Sequence, residues 1–81
     1  MDYFFKVWDR ARKAYNLERH VKADLEEIYI KIYFQGKVVV RADGASEDIE
    51  IVYTQAAQRL IDWMQQKGKE NEDLHNMRQR I

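Results

Sequence analysis

The chain has no cysteine, no proline and only three glycines in 81 residues. Without cysteine there are no disulfides, no thiolate nucleophile and no thiolate metal site, which leans the expected location towards the cytoplasm. Without proline or glycine-rich tracts there is no linker, low-complexity segment or internal repeat, so residues 1–81 read as one domain. No apolar run approaches the length of a signal or membrane-spanning segment, and no membrane partner is expected. Charge of either sign is also missing in net: 14 basic residues meet 14 acidic ones. Bulk attraction to nucleic acid is therefore not indicated, although a local patch could still supply it.

Catalytic chemistry is equally thin. Ser46 and Thr54 are the single serine and threonine, and both read as turn or cap residues without a histidine base. Three glycines do not build a phosphate loop. His20, Asp24 and Glu27 would share one side of a helix, where a surface ion pair is the ordinary reading and a metal site lacks further ligands. Glu72 and His75 have the spacing of dimetal carboxylate sites, but the second copy and extra glutamates those sites need are missing. The expectation is a protein that is not an enzyme and has no cofactor or metal.

What is present is an alternating stretch from Ile28 to Thr54. Ile28, Ile30, Ile32 and Phe34 alternate with Tyr29, Lys31 and Tyr33, the period of a strand with one buried face. Gln35-Gly36-Lys37 forms a turn, and Lys37 to Ala42 reads as the second strand. A three-residue loop sets Phe34 opposite Val38, Ile32 opposite Val40 and Ile30 opposite Ala42. A two-residue loop would bring Arg41 beside Ile30, so the longer one is favoured. Asp43 to Glu47 reads as a turn. Residues 48–54 fit a helix with Ser46 as cap and acidic residues in its first turn. They also fit a third strand, whose register pairs Val40 with Ile51, Arg41 with Glu50 and Val39 with Val52. Those pairs favour the strand.

Residues 1–26 are expected to be helical, with Phe4, Trp8, Ala11 and Tyr15 on one stripe and Leu17, Val21, Leu25 and Ile28 on a rotated one. The rotation implies a bend or break near Asn16. A helix over 55–67 would bury Ala56, Ala57, Leu60, Ile61, Trp63 and Met64 and stop at Gly68. Residues 69–81 then form a short amphipathic tail helix carrying Leu74, Met77 and Ile81. The expected fold is α+β: a two-layer α-β-β-β-α domain, its three-stranded antiparallel meander covering 28–54, with helices on one face. The core should include Trp8, Ala11, Ile30, Ile32, Phe34, Val40, Ile51, Leu60 and Met64.

This order resembles double-stranded-RNA-binding domains in topology alone. Their basic cluster at the start of the last helix is absent, with Glu47, Asp48 and Glu50 nearby instead, so the resemblance does not extend to RNA binding. The expected working surface is the sheet face away from the helices, carrying Tyr29, Lys31, Tyr33, Val39, Arg41 and Val52, beside Glu50 and Thr54. Tyrosine and arginine bring large contact area with a polar handle, which suits a protein interface. The leading expectation is a small regulator- or inhibitor-like interaction module, or a homodimer through this face. A second is nucleic-acid binding by Lys31, Arg41, the two tyrosines and the basic first helix. Residues 1–22 hold six basic against three acidic residues, ordinarily a solvated helix face. A third is an artificial or orphan domain, of phage or de novo origin, with no evolved ligand.

Overall fold

The computed structural model describes the backbone of residues 1–79 and the side chains of residues 1–69. Helix α1 (Asp2–Ala14) is followed by strands β1 (Leu17–Ala23), β2 (Glu27–Phe34) and β3 (Lys37–Ala45), a 3-10 turn (Ser46–Asp48) and helix α2 (Ile49–Gln79). The strands form an antiparallel meander in the order β1-β2-β3. This is the expected α+β fold in α-β-β-β-α order, but two of its segments come from other parts of the chain.

The first correction is β1. Helix α1 buries Phe4, Val7 and Ala11 and ends at Tyr15, whose backbone is extended (φ −133°, ψ 139°). The rotated stripe beyond Asn16 is a change of element, not a bent helix. Leu17–Ala23 pairs with β2 from Leu17↔Phe34 to Ala23↔Ile28, and only Leu17 in it is buried. Backbone bonding to β2 holds this edge strand, so its side chains carry almost no strand pattern and local helix preference is overridden. The turn into β2 is made by Asp24, whose Oδ1 accepts the N–H groups of Glu26 and Glu27, both at 2.8 Å. These bonds, that of Glu27 foremost, hold the Asp24 carboxyl below its ordinary pKa, and nearby Lys22 acts in the same direction.

The second correction is the turn between β2 and β3. It has two residues, Gln35 (φ 53°) and Gly36 (φ 79°), the left-handed pair that matches strand twist. Phe34 therefore faces Lys37, and Tyr33 faces Val38. A bulge at Val39 then re-phases the ladder, so that Ile32 faces Val40 and Ile30 faces Ala42. The longer loop was expected to produce those two pairs; a short turn plus a bulge produces them instead.

The third correction concerns 43–54. Strand β3 runs on through Asp43 and Gly44, and the chain turns into α2 instead of a further strand. Gly44 is there for clearance: a Cβ on it would stand 2.8 Å from Val52 Cγ2. Ser46 caps no helix. Its N–H donates to Glu26 O at 2.9 Å and its hydroxyl to Asp24 O at 2.7 Å. In α2 the buried Val52, Tyr53, Ala56, Ala57 and Leu60 follow helical spacing, while Ile51 is 56 % exposed. With β1 already completing the sheet, 48–54 is free to serve as the helix that covers it. Gly68 does not end α2, which continues to Gln79. The side chains of the expected tail helix over 69–81 lie outside the described residues beyond Lys69.

The core is the inner sheet face (Leu17, Ile28, Ile30, Ile32, Val40, Ala42) under Phe4, Val7 and Ala11 of α1 and the buried residues of α2. Ala11, Ile30, Ile32, Val40 and Leu60 are buried as expected, and Trp8, Phe34 and Met64 pack partly buried at its margin. At one end Tyr15, Phe34 and Trp63 meet edge to face, with Lys67 Nζ 5.1 Å from the Phe34 ring. At the other, Phe4 and Phe5 meet Tyr53, and the Arg19 guanidinium lies 5.1 Å from both the Phe5 and Trp8 rings.

Candidate interaction surface on the open sheet face

Because β2 alternates, burying Ile28, Ile30 and Ile32 turns Tyr29, Lys31 and Tyr33 to the opposite face, where each is half-buried. The register supplies their neighbours. Lys22, His20 and Glu18 of β1 stand opposite Tyr29, Lys31 and Tyr33. On the β3 side Asp43, Arg41 and Val38 do the same. No described element covers this face.

Of the expected site residues, Tyr29, Lys31, Tyr33 and Arg41 come together here. Val39 sits in the bulge, half-buried and packed against the core. Val52 lies in α2 at 1 % exposure and has no part in the face. Glu50 and Thr54 also belong to α2, so the expected Arg41–Glu50 and Val39–Val52 pairs do not form. Sequence reasoning missed Glu18, His20 and Lys22, whose one signal was their even spacing between Leu17, Arg19 and Val21. It also missed Val38, which the short turn brings round, and Asp43.

The centre of the face is electrostatically uncomfortable. Lys31 stands directly opposite Arg41, a like-charge pair that costs the sheet stability. The two lean apart. Lys31 Nζ lies 5.0 Å from the Tyr29 ring centroid, and Arg41 Nη2 lies 3.7 Å from Asp43 Oδ2. His20 meets Tyr33 edge to face at 5.2 Å. The face thus presents Lys22, Lys31 and Arg41 against Glu18 and Asp43. Beside Tyr29 and Arg41, at its end, is a depression of about 520 Å³ also bordered by Glu26, Glu27 and Asp43.

The basic residues of the first 22 do not form one patch. Lys6 and Arg10 border a groove of about 590 Å³ between α1 and α2, floored by Val7, Ile61 and Met64. Arg12 pairs with Asp9 at 3.4 Å, Arg19 lies on Phe5 and Trp8, and Lys22 joins the open face. His20, Asp24 and Glu27 are spread over β1, its turn and β2, and not along a helix. Among the described residues no cluster of three or more His, Cys, Asp or Glu could hold a metal ion. No helix among them is long and apolar enough to cross a membrane. No family model, no curated protein and no solved structure matches the chain.

Proposed function

We propose that this chain is a non-catalytic interaction module that receives an acidic protein surface on its open sheet face, as a small regulator or inhibitor would. The observation that supports the reading is the Lys31–Arg41 pair at the centre of an uncovered face flanked by Tyr29 and Tyr33. A directly opposed pair of cations weakens an isolated sheet, and a carboxylate from a partner relieves it while the tyrosines supply contact area. The test is titration of the chain with acidic peptides while following backbone amide signals. Shifts should concentrate at Tyr29, Lys31, Tyr33 and Arg41. Arg41→Glu should abolish them without lowering the melting temperature, and Tyr33→Glu should abolish them at the modest stability cost of a like-charge pair with Glu18. Undiminished binding by Tyr33→Glu removes the reading.

The same cations and tyrosine rings suit a single-stranded nucleic acid, with bases on the rings and phosphates on Lys31 and Arg41. Glu18 and Asp43 at the margins of the face leave room for a single partner carboxylate at Lys31 and Arg41 but oppose a continuous run of phosphates, which puts this reading second. Affinity for mixed oligonucleotides that falls steeply with salt would reverse the order.

A further inference from the structure

The sheet has two edges, and they are treated differently. The β3 edge is interrupted by the bulge at Val39, and Arg59 Nη1 on α2 donates to the carbonyl oxygen of Arg41. Bulges and covering groups are the usual protection of an edge. Strand β1 has neither. Its register with β2 runs unbroken from Leu17 to Ala23, and no described strand lies outside it.

The turn tells which of its backbone groups are free. Asp24 N–H donates to Glu27 O at 3.0 Å. Bonded positions alternate in an antiparallel ladder, so Lys22, His20 and Glu18 use their backbone groups on β2. Arg19, Val21 and Ala23 direct theirs outward. Val21 also lies on the inner side of the sheet, yet it remains 42 % exposed.

We propose that β1 pairs antiparallel with β1 of a second copy about a two-fold axis at His20, joining two three-stranded sheets into one of six. The charges select this axis. Glu18 and Lys22 lie on the same face, each two residues from His20, so the two-fold sets each opposite the other twice over. Neither has an ion pair within the chain among the described residues. Other centres are worse. An axis at Glu18 or Lys22 opposes like charges, one at Arg19 opposes that arginine to itself, and one at Val21 sets Glu18 against Asp24. At His20 the inner face matches as well, because Val21 comes to lie under the Arg19 stem of the second copy. An isologous contact of this kind closes at two chains. The axis is perpendicular to the sheet, so both open faces point the same way and become one surface.

The test is the mass of the full chain by light scattering over a wide concentration series, with amide hydrogen exchange on the same samples. The mass should rise from 9.8 kDa towards twice that value, with the Arg19 and Val21 amides becoming protected as it does. Glu18→Lys or Lys22→Glu turns two attractive pairs into two repulsive ones and should weaken association roughly tenfold or more. The double exchange should restore it. Val21→Pro, which removes an outward N–H and leaves the bonds to β2, should abolish it. A wild-type chain that stays monomeric overturns the proposal. So does a dimer that ignores the single reversals or leaves those two amides unprotected. If the reversed variants fail to fold, amide protection in the wild-type chain decides alone. A monomeric result leaves the open-face reading standing, because that face belongs to a single chain.

Discussion

Replacing Gly44 with alanine tests the packing of α2 on the sheet at its tightest point. The added Cβ would stand 2.8 Å from Val52 Cγ2, and Val52 is a short, branched side chain, stiff at χ1 and 1 % exposed. Overpacking of this kind costs about 1–3 kcal/mol. Against it, alanine restricts the unfolded chain and returns about 0.4–1 kcal/mol. The net expectation is a loss of about 1–2 kcal/mol, which lowers the melting temperature by roughly 4–16 °C in a domain of this size. The decisive arm is the double variant. Val52→Ala alone should cost about 2 kcal/mol from two buried carbons. In Gly44→Ala/Val52→Ala the offending methyl is gone, so the double should be no less stable than Val52→Ala alone. That implies a coupling of at least about 1 kcal/mol by the double-mutant cycle. Urea unfolding followed by circular dichroism supplies all four numbers. A glycine needed only for a turn would give backbone strain that Val52→Ala cannot relieve, so additive losses would refute the packing argument.

Other outcomes follow from the same geometry. Gly36 has φ 79°, and a Cβ on it would meet nothing within 4 Å, so Gly36→Ala should cost about 1–2 kcal/mol of backbone strain alone, read by the same denaturation assay. Ile51 is 56 % exposed, so Ile51→Lys should change stability by no more than about 0.5 kcal/mol; a loss of several kcal/mol would mean that 48–54 is packed as a strand. The depressed Asp24 carboxyl contributes stability that is fully present above its ordinary pKa of 3.8 and is lost as pH falls through the folded-state value. Asp24→Asn keeps an acceptor that does not titrate, so its melting temperature should fall less steeply with acid than that of the wild type.

How much of this was legible depended on whether a segment's side chains or its backbone determined its state. Strand β2 was plain, because three isoleucines buried at alternate positions leave one possible face. Helix α1 was plain as far as Ala11 because Phe4 and Ala11 fall on one helical stripe, although Val7 and not Trp8 is the buried residue between them. Strand β1 was hidden because its partner chooses it: Glu18, His20, Val21 and Lys22 are tolerable in a helix, and the bonds that make them a strand belong to β2. The start of α2 was misread because Ile49, Ile51 and Tyr53 alternate by accident while Val52, Tyr53, Ala56 and Ala57 carry the helical period. Gly44 added to the error, since a glycine required by a helix crossing above it looks the same in sequence as one required by a turn. The candidate face was half legible in consequence. Its β2 row and Arg41 were visible, whereas the β1 row could not be placed before β1 itself was known.

The bonds from Ser46 to Asp24 and Glu26 tie the first residue of the 3-10 turn before α2 to the loop that reverses the chain between β1 and β2. An outer strand ordinarily detaches by itself at low free energy, well below the cost of global unfolding. Here, detachment that runs on through the Asp24–Glu26 turn also releases Ser46 and so disturbs the segment that leads into α2. The loop that ends the outermost strand and the turn that leads into the last helix are thereby held together, although they lie far apart along the chain. The exposed edge stays in place, ready for whatever joins it.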